Sequence, residues 1–241
     1  MTTVYLVRHG QAGTRRAYDA LSELGQRQSR LLGQYFASQG IRFSATYSGE
    51  LSRQQQTAAE IKEAYAAADR DFPDLLIDPG WNEFDLDRMY REMAPQMCAA
   101  DPNFCLEFET MREQVRVSGD SPDCTVHRRW LPCDTKVVEA WIHGRHSYQG
   151  ETWDEFRERV TACRQKLAGE RSENILVCTS ATPASIWVGL SLDVRDGRIM
   201  ALAGSLYNAS ITMLKLRDSH IRLFMFNAVP HLPEPELRTH R

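Results

Sequence analysis

A chain of 241 residues has room for one large α/β domain, or for one domain carrying a sizeable insertion. Its 42% hydrophobic and 25% charged residues are those of a soluble globular protein, and a net charge of −3 gives it no pull toward nucleic acid or a membrane surface. No apolar run approaches the roughly 20 residues a bilayer-spanning helix needs, and MTTVYLV lacks a basic region ahead of an apolar stretch, so the chain reads as cytoplasmic.

Residues 3–8 (TVYLVR) have the composition of a strand that stops before Gly10. LSELGQRQSRLLGQYFASQG (21–40) sets Leu24, Gln28, Leu31, Leu32 and Tyr35/Phe36 at helical spacing, with Gly40 as the stop. A short strand over about 44–48 (SATYS) leads into a helix over about 50–67, with Leu51, Ala58, Ile61 and Tyr65 on one face. Residues 84–150 break this rhythm. They hold several prolines, mixed charge, weak periodicity and Cys98, Cys105, Cys124 and Cys133, and we read them as an inserted, largely helical cap. None of the six cysteines forms a CxxC pair, which leaves a zinc site unsupported. Without an export signal they read as free thiols, a disulfide within 98–133 being the alternative.

GETWDEFRERVTACRQKLAGE (150–170) is a helix opened by a capping box, Thr152 with Glu155 three residues on. NILVCT (174–179) is uninterruptedly apolar, as buried parallel strands are. Pro183 at a first helical position, with Thr182 as cap, starts the next helix. ITMLKL (211–216) and IRLFMF (221–226) resemble a late hairpin. The expected fold is α/β: a three-layer sandwich with a mostly parallel sheet, helices on both faces and the inserted helical cap, all in a single domain spanning 1–241.

In such sheets ligands bind outside the carboxyl ends of the strands, so three strand-to-helix junctions matter. The first supplies Arg8, His9 and Gly10; the second Ser48 and Arg53; the third Thr179, Ser180 and Thr182. Guanidinium forks grip phosphate, and a helix N-terminus adds exposed N–H donors. Each residue alone is an ordinary loop or surface residue. Together they describe an anion pocket.

LVRHGQA (6–12) resembles the signature of the histidine phosphatase superfamily, the phosphoglycerate-mutase-like proteins. YDALSELGQRQS (18–29), YSGELSRQQQTAAEI (47–61), WNEFD (81–85), GETWDEFRERV (150–160), NASITML (208–214) and FNAVPHL (226–232) are similar to segments of that superfamily, in the same order. The resemblance implies a covalent phosphohistidine. His9 would be the nucleophile, Arg8 and Arg53 would hold the phosphoryl oxygens, and Glu83 would be the general acid and base. Asp85 is the alternative acid.

One position departs from the pattern. Where the superfamily has a histidine and a glycine after the strand, ILVCTSATPAS has Ser180 and Ala181. A serine can donate one hydrogen bond but brings no positive charge. Losing a preorganised donor to transition-state charge costs roughly 3–4 kcal/mol, about 10²–10³ in rate. Some relatives carry a Thr-Ser-Gly run here, which reads the change as the mark of a branch. Among the seven histidines, His143 and His146 precede the GETW helix and could reach the pocket. His231 sits where the superfamily's counterpart is structural, and His127, His220 and His240 have no motif behind them. Gln11, Arg15 and His146 are candidates to meet the rest of the substrate, with an exposed basic pair as the plain alternative for Arg15 and Arg16.

The expected function is that of a phosphomonoester hydrolase, needing neither metal nor cofactor, with a phosphorylated small molecule as its partner. A catalytically silent binder of phosphorylated ligands is the alternative that Ser180 motivates. A glycolytic mutase fits less well, because the stretch after Arg8-His9-Gly10 lacks the Trp-Asn segment associated with that activity.

Overall fold

The computed structural model describes residues 1–14, 19–118, 130–167, 173–217 and 220–240. In chain order they form β1 (Thr2–Arg8), α1 (Glu23–Ser38), β2 (Ala45–Ser48), α2 (Ser52–Ala67), β3 (Leu75–Ile77), α3 (Leu86–Ala100), α4 (Pro102–Ser118) and α5 (Pro132–Ile142). Then come α6 (Trp153–Ala162), α7 (Arg164–Leu167), β4 (Asn174–Thr179), α8 (Ala181–Leu192), α9 (Asp196–Ser205), β5 (Ile211–Arg217) and β6 (His220–Ala228). Short 3-10 turns occupy Pro79–Trp81 and Pro235–Leu237. The chain divides into two compact units: described residues of 1–13, 17–83 and 160–241 form the larger, and those of 14–16 and 84–159 the smaller.

The larger unit is built on one sheet of order β3-β2-β4-β1-β5-β6. β1 to β4 pair in parallel, β5 runs antiparallel to β1, and β6 antiparallel to β5 as the expected late hairpin. Period-2 alternation sends Tyr5, Val7, Leu176 and Cys178 to one face, where they pack with Leu32 and Phe36 of α1 and Ala58, Ile61 and Tyr65 of α2. Val4, Leu6, Ile175 and Val177 point to the other face and are equally buried. α8 covers that face, packing on β1 and β6. Thr182 through Gly189 are buried without a break, so α8 has no polar stripe, the mark of a helix enclosed by its protein. The fold is α/β, with a mostly parallel sheet and helices around it.

Register decides what meets at the carboxyl ends. Arg8 lies opposite Thr179, and Ser48 opposite Cys178, so β1, β4 and β2 end level with one another. α8 begins at Ala181 with Ser180 as its N-cap, two residues earlier than the proline suggested. Pro183 is therefore the third helical residue. The first turn of a helix has no intrahelical use for its N–H groups, so proline is tolerated there as well. β3 and α9 carry too little periodicity to announce themselves, and the helix expected over 150–170 is interrupted at Cys163. The Thr152–Glu155 box is present: Thr152 N donates to Glu155 Oε2 at 2.8 Å and Glu155 N to Thr152 Oγ1 at 3.3 Å.

The smaller unit holds α3, α4, α5 and most of α6. Aromatic rings replace periodic aliphatics as its core. Tyr90 and Phe104 stack on Phe108, and Trp141 is ringed by Phe84, Trp153 and Phe156. Tyr90 also donates its hydroxyl to Asp134, buried beside it, at 2.7 Å. Cys98, Cys105, Cys133, Cys163 and Cys178 form no disulfide, and Cys124 lies outside the described residues. No helix among the described residues is long and apolar enough to cross a membrane.

His231, in the segment after β6, is 6% exposed with no hydrogen-bond partner on either ring nitrogen. Burial lowers its pKa from 6.5 to about 4. The unfolded chain therefore takes up this proton first, and the stability present above pH 6.5 is lost as pH falls toward 4. Over that window the loss at this one site is about 3 kcal/mol. We expect His231→Leu to be at least as stable as the parent at pH 7 and clearly more stable at pH 4.5, read by urea unfolding at both pH values.

Candidate active site

β1 delivers Arg8 and His9 to the centre of the sheet's carboxyl edge. The His9 N–H donates to the Thr179 carbonyl at 2.8 Å. Its carbonyl accepts from Ala209 N at 3.2 Å and from Asn208 Nδ2 at 3.4 Å. Gly10 N donates to Thr57 Oγ1 at 3.1 Å, and Thr57 Oγ1 donates to the Arg53 carbonyl at 2.8 Å, tying the exit of β1 to the first turns of α2. A side chain at residue 10 would overlap the Gly25 carbonyl and Ser29 Oγ, so glycine is the residue that lets α1 close on this loop.

The imidazole is buried, and its Nδ1 lies 2.7 Å from the Gly10 carbonyl. A carbonyl only accepts, so Nδ1 carries the proton and Nε2 presents its lone pair. That lone pair faces Arg53, whose Nε–H is 3.2 Å away. Burial holds the His9 pKa well below the usual 6.5, and the charges of Arg53 and then Arg8 push it further down, against the opposing pull of the Gly10 carbonyl. At neutral pH His9 is a neutral imidazole of fixed orientation.

Each guanidinium is held from behind. Arg8 Nη1 donates to the Leu206 carbonyl. Arg53 Nη1 pairs with Asp19 Oδ1 at 3.2 Å, and Asp19 also accepts from Ser52 N at 3.1 Å and Ser52 Oγ at 2.9 Å. The Asp19 carboxylate thus sits at the N-terminus of α2, where the helix dipole favours it.

The third junction is organised by the carbonyl of Trp81, a fully buried residue. It accepts from Thr179 Oγ1 at 2.7 Å and from Gln54 Nε2 at 3.1 Å. Gln54 Nε2 also lies 2.8 Å from Ser180 Oγ. Two residues after Trp81, half-buried Glu83 accepts from Thr182 N, in the first turn of α8, at 3.1 Å. Asp85, the alternative acid, caps α3 by accepting from Arg88 N at 2.8 Å and belongs to the smaller unit.

Arg8, His9, Arg53, Ser180 and Glu83 thus stand where the ends of β1 and β4 meet the starts of α2 and α8. Gln11 is turned to its own loop: its side-chain carbonyl accepts from Ser22 Oγ at 2.9 Å, and its backbone N–H donates to Gln28 Oε1 at 2.8 Å. His146 is half-buried between α5 and α6 in the smaller unit, and His143 is exposed at the C-cap of α5. Arg15, Arg16 and His127 lie outside the described residues. Sequence reasoning missed Asp19, Gln54, Thr57 and Asn208. Gln54 and Thr57 sit one and four places after Arg53 on the same helix, and that spacing was the one available signal. Among the described residues, no group of three or more His, Cys, Asp or Glu side chains is placed to hold a metal ion.

A family model for the histidine phosphatase superfamily (branch 1) matches residues 4–141 and 131–229. The chain belongs to the histidine phosphatase superfamily. Among solved structures, it is similar to Bacillus stearothermophilus YhfR, at 16% identity and TM-score 0.65, covering 96% of this chain and 100% of that one. It is also similar to a phosphoglycerate mutase from Bacillus anthracis, at 17% identity and TM-score 0.60, covering 96% and 95%. A mutant phosphoserine phosphatase from Entamoeba histolytica, in complex with phosphoserine, gives 17% identity and TM-score 0.53 over 96% and 100%. No curated protein matches the chain by sequence.

The protonation state of His9 is directly measurable. We expect nitrogen-15 NMR to show Nδ1–H and a bare Nε2 at pH 7, with no titration until well below pH 6.5. Arg53→Met, which removes the nearer opposing charge, moves that titration upward.

Proposed function

We propose that the chain is a phosphomonoester hydrolase acting on a small phosphorylated metabolite through a covalent phosphohistidine at His9. The observation that carries this reading is the neutral His9 imidazole with its bare Nε2 set against the Arg53 guanidinium. Membership of the superfamily supports phosphatase-type chemistry in general terms.

In this mechanism the phosphoryl oxygens take the Arg8 and Arg53 guanidiniums, and Arg53 leaves the His9 lone pair for a stronger acceptor. Nε2 attacks phosphorus as the ester oxygen departs, and the charge on the three equatorial oxygens rests on the two arginines. Glu83 protonates the departing oxygen. It then takes a proton from the water that attacks the phosphohistidine, releasing inorganic phosphate and restoring neutral His9. Glu83 enters the cycle as the protonated acid, and once that proton has gone to the departing oxygen its carboxylate keeps the Thr182 N–H.

The second reading, a binder of phosphorylated ligands with little or no turnover, rests on Ser180 standing where the superfamily pattern has a histidine. An aryl phosphate and a panel of phosphometabolites, tested without added metal, separate the two readings. We expect turnover that His9→Ala abolishes, an acid-labile phosphoryl group on His9, and an acid limb of kcat/KM well below pH 6.5. Glu83→Gln is expected to lower kcat by about 10²-fold or more. Equal turnover in the parent and His9→Ala overturns the hydrolase, and phosphate binding without turnover selects the binder.

A further inference from the structure

We propose that Gln54 is a positioning residue that turns Ser180 into a dedicated hydrogen-bond donor toward the phosphoryl group, so that the Gln54–Ser180 pair does part of the work of the missing histidine. The inference rests on the phosphatase reading above.

Hydrogen-bond polarity carries it. The Trp81 carbonyl can only accept, and it lies 3.1 Å from Gln54 Nε2, which fixes that end of the amide as the nitrogen. The second N–H on the same nitrogen then points at Ser180 Oγ, 2.8 Å away. A hydroxyl that accepts here keeps its own proton free to donate elsewhere. Ser180 makes no side-chain capping bond into α8, so that proton is not spent on the helix. The pairing of Arg8 with Thr179 puts Ser180 on the rung beside His9, at the edge of the sheet where the phosphoryl group is bound.

A second feature marks Gln54 as more than filler. It is completely buried, yet its Oε1 has no hydrogen-bond partner. A buried unpaired carbonyl is unfavourable, and an apolar side chain of similar size would avoid it. What the amide supplies is the pair of N–H donors, one anchored on Trp81 and one aimed at Ser180. Arg53 and Gln54 are consecutive on α2, so a single helical turn brings the cation to His9 and the donor to Ser180.

The test is a double-mutant cycle on the full chain, with an aryl phosphate as substrate and orthovanadate as binding probe. We expect Gln54→Leu to lower kcat roughly tenfold with KM little changed, and Ser180→Ala to lower it by about 10²-fold. Gln54→Leu added to Ser180→Ala should then cost nothing further, because the donor it orients is gone. Thermal unfolding identifies any variant that fails to fold. For that case Gln54→Met is the second variant, and it should show the same kcat-specific loss. Additive losses from Gln54 and Ser180, or a Gln54→Leu effect confined to KM or to melting temperature, overturn the pairing while leaving the phosphatase reading intact. A parent protein that binds orthovanadate without turnover overturns the phosphatase reading. The pairing is then judged by whether the same cycle is non-additive in orthovanadate affinity.

Discussion

Everything at this site depends on keeping one imidazole neutral while two guanidiniums crowd it. In water the arrangement would be weak, because solvent would screen the arginines and the ring would titrate near its ordinary value. Burial removes the screening and penalises the imidazolium, and the arginine charges then act in the same direction. The remaining need is orientation. The Gly10 carbonyl supplies it by accepting the hydrogen bond from Nδ1–H, which leaves Nε2 as the ring nitrogen with the lone pair. That demand explains the position of β1 between β4 and β5, where His9 can be clamped by Thr179 on one side and by the Asn208–Ala209 turn on the other.

The same demand shapes the first turns of α2. Arg53 meets His9, Gln54 meets Ser180 and Trp81, and Thr57 meets the Gly10 amide. A helix beginning one residue earlier or later would rotate these side chains by about 100° and lose all four contacts. Asp19 and Ser52 fix that start, and the paired Asn82 and Glu50 hold the adjoining loop. Ser180 belongs to this polar network. Its hydroxyl oxygen faces the Gln54 amide, whose polarity the Trp81 carbonyl fixes.

The two units reach stability by different means. In the larger one, aliphatic strands are sandwiched between helices, and the period-2 and helical patterns are plain in the sequence. The smaller one is held by aromatic faces and edges, from Tyr90 and Phe108 to Trp141, Trp153 and Phe156. Broad rings placed irregularly can fill a helical core without a regular stripe. This is why residues 84–150 gave weak periodicity and yet form ordered helices over most of that length.

The amino-acid sequence by itself determined the fold class, the central strands and the three junctions, because alternation and uninterrupted apolar runs are local properties of the chain. It also marked Arg8, His9 and Arg53, each of them adjacent to a strand end or a helix start. It misplaced the start of α8, since a proline marks only the first turn and not the residue within it. It chose Glu83 over Asp85, two places apart, through the resemblance alone. Tertiary structure put Glu83 on the N–H of Thr182 and gave Asp85 the capping of α3. It alone decided the tautomer of His9, the bracing of Arg53 by Asp19 and the polarity of the Gln54–Ser180 contact. The first depends on how the exit of β1 turns the neighbouring Gly10 carbonyl onto the ring, and the other two on which carboxylate or carbonyl, tens of residues away, lies within 3 Å or so, a distance that only the folded register of β1, β4 and α2 sets.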